Sequence, residues 1–178
     1  MTWTEPATWY ANLASFYAAA AAFITDPAGN VLLVKPTYRD YWALPGGYVD
    51  EDEYPHVACA REIREELGIS VVVGDLLVVD WAPSAGQRPR AIISFTFDCG
   101  SIANLDDVSL PKEELEDVAF LPWREAEQRL PDNVATRIPA AMGARDRRAP
   151  VYFAGGSVVP ASPVDRAEHD AEPRSQTA

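Results

Sequence analysis

The stretch from Gly47 to Ile69, GYVDEDEYPHVACAREIREELGI, constrains this chain more than any other. Its second half reads as a helix. Pro55 suits a first-turn position, where its missing N–H costs nothing, and Asp50, Glu51, Asp52 and Glu53 put negative charge at the positive end of the helix dipole. Gly68 is placed to end the helix in a left-handed conformation. At 100° per residue, Cys59, Ala60, Ile63 and Leu67 form one apolar stripe, while Glu62, Glu65 and Glu66 form a second, with the small Ala58 among them. Taken alone, the second stripe is a solvated face, because exposed like charges at this spacing cost only about 0.2–0.5 kcal/mol per pair.

The surroundings change that reading. The helix is preceded by Trp42-Ala43-Leu44-Pro45-Gly46-Gly47, an apolar stretch ending in a glycine pair that can bring its backbone close to a ligand. Arg61 and Arg64 sit beside the acids and could orient them. Mg²⁺ takes oxygen ligands, commonly one or two carboxylates completed by waters and substrate phosphates. A rigid helix presenting three carboxylates beside a glycine loop meets that need.

These residues resemble a known family. Gly47, five residues, Glu53, seven residues and then Arg61-Glu62-Ile63-Arg64-Glu65-Glu66-Leu67-Gly68-Ile69 fill every defined position of the Nudix box of Nudix hydrolases. The resemblance implies an α+β fold, a mixed sheet sandwiched between helices, and hydrolysis of a nucleoside diphosphate linked to another group. That group could be phosphate, ribose or a sugar. It also implies Mg²⁺ or Mn²⁺, with Glu65 and Glu66 as ligands and Glu62 as a further ligand or as the base that activates water. The carbonyl of Gly46 would be another ligand. Arg61 would orient a carboxylate, with Glu53 paired to it either as part of the catalytic apparatus or as a helix-capping salt bridge. A further acid is expected from the loop after the box, where Glu113 and Glu116 stand out among Asp106, Asp107 and Glu114 because they directly precede a late strand.

The chain has 178 residues, enough for one domain with an ample core. Its 27 acidic and 15 basic residues give a net charge of −12, which argues against sequence-independent binding to nucleic-acid polymers. A small anionic nucleotide can still bind where a metal and local arginines supply positive charge. For contacts to it, Lys35 and Arg39 suit phosphates, and Tyr38, Trp42 and Trp81 offer faces for stacking on a base; core packing beside Leu44 is the other reading of Trp42. Some ADP-ribose hydrolases of the family carry a proline beyond the box, and Pro83 lies in that neighbourhood. Cys59 and Cys99 are the only cysteines and are expected as free thiols in a cytoplasmic protein. A binding module that senses nucleotides without cleaving them is the competing function. It could dispense with Glu62, Glu65 or Glu66, and this chain keeps all three.

The rest of the chain falls into three parts: 1–15, 16–154 and 155–178. The first, with Trp3, Trp9 and Tyr10, is expected to pack over the domain or over a partner subunit in a homodimer. The apolar run LASFYAAAAAFI at 13–24 is too short for a membrane helix of about 20 residues. Residues 1–12 hold Glu5 and no Lys or Arg, unlike a secretory signal. Propensity favours a short helix in the run, but the hairpin-like Asp26-Pro27-Ala28-Gly29-Asn30 followed by Val31-Leu32-Leu33-Val34 favours strand from Phe16 to Thr25. Further sheet is expected over 69–82 with a bulge at Gly74-Asp75, at 90–98 and at 118–123. A short helix from Arg124, a helix over 132–148 and a strand at 151–154 follow. From Gly155 the Pro, Ser and Ala content predicts disorder.

Overall fold

The computed structural model describes residues 5–159. The alanine run forms the central strand β1, Tyr17–Thr25. Tertiary packing overrides helix propensity here, because small side chains are what the two faces require. Ala20, Ala22 and Ile24 join one buried cluster, while Ala21 and Phe23 belong to a second on the opposite face. The turn into β2 (Val31–Pro36) is tied by Asp26, whose Oδ1 accepts the N–H groups of Ala28 and Asn30 at 2.9 and 2.8 Å. Gly29, at φ +84°, closes it.

The sheet is mixed. Beyond β3 (Gly46–Tyr48) come β4 (Leu76–Ala82), β5 (Ile92–Ser101), β6 (Leu115–Leu121), β7 (Val151–Ala154) and β8 (Ser157–Val158). The order across the sheet is β6-β2-β1-β5-β4-β7-β8, with β3 paired separately to β1. The β1–β5 and β4–β7 pairs are parallel; the others are antiparallel. Preceding the sheet is α1 (Pro6–Ala11), and α2 (Pro55–Leu67) follows β3. The helices α3 (Trp123–Arg129), α4 (Asp132–Ala135) and α5 (Arg137–Arg147) cover the face opposite α2. Helices on both faces of a mixed sheet are the α+β architecture expected.

Several local expectations are corrected. Residues 69–75 are not strand; of them, Gly74 and Asp75 reach β5 through backbone bonds to Asp98. The helix expected over 132–148 is two helices, broken at Thr136. Pro139 has no N–H to continue the ladder to Ala135, so it is tolerated only in the first turn of a new helix. Residues 155–159 are ordered into the sheet rather than disordered. Gly155 and Gly156, at φ +63° and +80°, make the tight turn between β7 and β8, a two-glycine hairpin signal. The remainder of the expected tail, 160–178, and Trp3 lie outside the described residues. Helix α1, capped by the Glu5 carboxylate on Thr8 N–H at 3.0 Å, has no buried residue, so the expected packing of this segment over the domain is not met there. Among the described residues no helix is long and apolar enough to cross a membrane.

Candidate active site

The box helix α2 is anchored by Ala58, Cys59, Ile63 and Leu67, all fully buried; each large apolar side chain so buried contributes about 1.5–3 kcal/mol. Ala58 is thus a core residue rather than part of the acidic face, and Ala60 is half-buried. Gly68 takes φ +71° and its N–H donates to Arg64 O at 3.1 Å, ending the helix as expected. The Sγ atoms of Cys59 and Cys99, both free, lie 3.9 Å apart beneath it.

On the other side of α2, Arg61 organises the acids. Its Nε and Nη2 grip the two oxygens of Glu53 at 3.1 and 2.9 Å. Nη1 donates to Glu62 Oε1 at 2.8 Å and to Glu65 Oε2 at 3.0 Å, and Nη2 also reaches Tyr48 O at 3.0 Å. One planar fork therefore fixes three carboxylates and the glycine loop, a task lysine could not perform. The fork holds Glu53 below the usual carboxylate range. Burial pushes Glu62 above it, an effect Arg61 opposes.

The glycine pair makes the fit. A Cβ on Gly47 would lie 2.4 Å from Glu62 Oε1, so the Glu62 carboxylate rests where any other residue would put its side chain. A Cβ on Gly46, at φ +140°, would lie 2.2 Å from Ala20 O. The Gly46 N–H donates to Glu66 Oε2 at 2.8 Å. Glu66 is half-buried, and that burial pushes its carboxyl up to about 7 despite the Gly46 bond; Glu62, Glu114 and Glu65 push the same way. Among the described residues no three His, Cys, Asp or Glu side chains converge into a ready-made metal cage; Arg61 draws Glu62 and Glu65 to itself.

A cavity of about 350 Å³ opens beside this face. Ala19, Ala20 and Ala21 floor it, Gly46, Gly47 and Glu66 form one wall, and Tyr38 and Arg39 border it. The other expected substrate residues are placed elsewhere. Lys35 donates to the carbonyls of Arg39 and Pro36 and pairs with Glu116 at 3.7 Å, bracing the loop. Trp42 packs against the core, and Trp81 meets Phe16 edge-on at 5.0 Å. Of the loop acids, Glu114 is the one whose charge bears on Glu66; Glu116 is turned to Lys35, and the Glu113 backbone carbonyl takes the Thr37 hydroxyl.

Arg88, Ser94, Asn133 and Arg137 also line the cavity. Sequence reasoning missed them, since each comes from a different element and nothing in their spacing joins them. A shallower cleft of about 410 Å³ lies between Phe16–Ala18 and Tyr48–Glu51; it has no basic side chain to receive an anion.

The NUDIX domain profile matches residues 16–140. A MutT-like protein of Streptomyces ambofaciens is 29% identical over 122 residues, covering 68% of this chain and 74% of that protein. An ADP-ribose pyrophosphatase of Mycobacterium tuberculosis is 40% identical over 124 residues, 64% of this chain but 56% of the enzyme, so the likeness spans little more than half of its length. The crystal structure of a MutT protein from Methanosarcina mazei Go1, 24% identical, shares the fold with a TM-score of 0.63 over 74% of this chain and 96% of that one. With its profile match over most of the chain and its box assembled around Arg61, this chain belongs to the Nudix family of pyrophosphohydrolases.

Proposed function

We propose that this protein hydrolyses the phosphoanhydride of a nucleoside diphosphate linked to a further group, with Mg²⁺ or Mn²⁺ bound at the box helix. The observation that carries this is the position of Glu66, which stands in the wall of a nucleotide-sized cavity and adjoins the carboxylates ordered by Arg61. The donor set fits a hard divalent ion. Its groups are carboxylate oxygens, and an incomplete protein cage suits Mg²⁺, which keeps waters and substrate phosphates in its shell. A carboxyl held up at about 7 by burial and by neighbouring acids is a group whose anion needs a positive partner.

Glu66 and Glu65, with Glu62 or the Gly46 carbonyl, would hold the ion, which supplies charge neutralisation of the phosphates and a lower pKa for a bound water. Water forms a new bond to one phosphorus, the bridging P–O bond breaks, and the departing phosphate takes the electron pair. Glu62 would accept the proton of the attacking water. Its burial raises its basicity, against the opposing pull of Arg61, which favours a general-base role. Arg61 keeps Glu62 and Glu65 in place, and Glu53 locks Arg61, giving the Glu53–Arg61 pair a positioning role. Arg39, beside the Tyr38 and Tyr41 rings at 5.2 and 5.6 Å, and Arg88 face the cavity as cations for phosphate.

The candidate substrates are a nucleoside triphosphate, ADP-ribose and a nucleotide sugar, and the likeness to an ADP-ribose pyrophosphatase supports the second. A panel of these with Mg²⁺ or Mn²⁺, the products weighed by mass spectrometry, tests the reading. Two phosphate-terminated products from at least one substrate support it. Binding with no cleavage across the panel would favour a sensor instead.

A further inference from the structure

The cavity has a second end whose chemistry hydrolysis does not use. Arg137, the first residue of α5, is only 9% exposed, and Asp80 on β4 is 1% exposed. Arg137 Nε and Nη2 both donate to Asp80 Oδ2, at 3.1 and 2.7 Å. The other Asp80 oxygen accepts the Gly156 N–H at 3.3 Å. Nη1 has no hydrogen-bond partner among the described residues, yet it is not sealed from solvent, because the one buried side-chain polar atom without a partner among them is Thr96 Oγ1. Arg137 lines the cavity, and Nη1 is the guanidinium nitrogen that Asp80 leaves free.

The charge pattern says what those donors can read. Asp80 neutralises Arg137, so a phosphate gains little from it. Arg88 instead spends its donors on the carbonyls of Pro83 and Arg90, and Arg39 lies on tyrosine faces; both keep their charge. The same cavity is walled by the apolar Ala82, Ile92 and Val134 and by the polar Ser94 and Asn133. A wall of mixed character holding one fixed, neutralised guanidinium suits a flat uncharged ring that carries acceptors. A guanidinium donates and never accepts. Guanine shows two adjacent acceptors, O6 and N7, on one edge, whereas adenine sets a donor beside N7.

We propose that Arg137, oriented by Asp80, is a specificity residue that selects a purine bearing two acceptors on that edge, guanine or hypoxanthine, over adenine. This rests on the cavity being the nucleotide site of the proposed hydrolase.

The test is calorimetric binding of four monophosphates to the full chain with Mg²⁺: GMP, IMP, 7-deaza-GMP and AMP. None contains an anhydride, so binding is read apart from cleavage. GMP and IMP should bind alike, and 7-deaza-GMP and AMP should bind on the order of tenfold more weakly. Arg137→Lys keeps a cation for Asp80 while removing the fork, and should lower GMP to the level of AMP with the melting temperature checked alongside. AMP or 7-deaza-GMP binding as tightly as GMP overturns the proposal, as does binding of none of the four, or full discrimination retained in Arg137→Lys. The wild-type series decides even where the variant fails to fold. If the hydrolase reading alone is wrong, the binding order stands while guanine nucleotides with an intact anhydride are not cleaved.

Discussion

Glu66→Gln should make the metal-free protein more stable, and more so as the pH rises. In the folded chain the Glu66 carboxyl titrates at about 7, against an ordinary 4.5. Between those values the unfolded chain has released a proton that the folded chain retains, so the group's stability is intact at low pH and falls as the pH rises. At about 1.4 kcal/mol for each pH unit of the gap, about 3 kcal/mol has gone by pH 8. Glutamine cannot ionise, and its carbonyl oxygen can still accept the Gly46 N–H. The gain from substitution should therefore be near zero at about pH 3, about 1 kcal/mol at about pH 5 and about 3 kcal/mol at about pH 8. Urea unfolding in excess EDTA at four pH values reads it, with Glu51→Gln, exposed on the adjoining loop, as the control expected to do little. With Mg²⁺ present, turnover by Glu66→Gln should fall by orders of magnitude. A gain that does not change with pH, or a loss of stability at pH 8, would refute the reasoning.

The glycine pair should separate into two phenotypes. Gly47→Ala drives a Cβ into the Glu62 carboxylate, so kcat should drop about 10–100-fold with the fold kept; Gly46→Ala meets Ala20 backbone at positive φ, so it should lower stability by about 2 kcal/mol or more in urea unfolding. A chain ending at Ala154 loses the Gly156 bonds to Asp80 and to the Thr136 hydroxyl (2.9 Å) and should melt well below one ending at Val159; equal melting temperatures would mean the β7–β8 hairpin is dispensable. Arg39→Gln should raise KM for a nucleotide substrate several-fold with kcat little changed. Trp42→Phe should leave KM alone and lower stability by about 1 kcal/mol; the reverse pattern in steady-state kinetics would put Trp42 in the site.

The box was legible because its chemistry is local. Pro55, Gly68 and the two stripes of α2 are set by neighbours within a few residues, and so is the Arg61 reach to Glu62 and Glu65. Glu53, eight residues earlier, belongs to the same compact motif. The cavity was not legible, since Arg88, Ser94, Asn133 and Arg137 meet only after β4, β5 and α5 have packed. The pairing of Lys35 with Glu116 was hidden for the same reason. They pair across β2 and β6, whose register places Lys35 opposite Asp117, and spacing along the chain carries no trace of that. Two features were readable and overlooked: Pro139, which breaks the last helix, and the Gly155-Gly156 turn. The alanine run shows the opposite case. Its propensity points to helix, yet a central strand touching Gly46 on one edge and flooring a cavity needs side chains that small.

The most direct test of the central claim is turnover of one cleaved nucleotide substrate measured in excess EDTA and then on titration with Mg²⁺. Without a divalent ion the face bearing Glu62, Glu65 and Glu66 repels its own substrate, so activity should be absent, return with the ion and remain absent in Glu66→Gln at concentrations that saturate the wild type. Full turnover in EDTA, or equal turnover by the two proteins, would contradict the account.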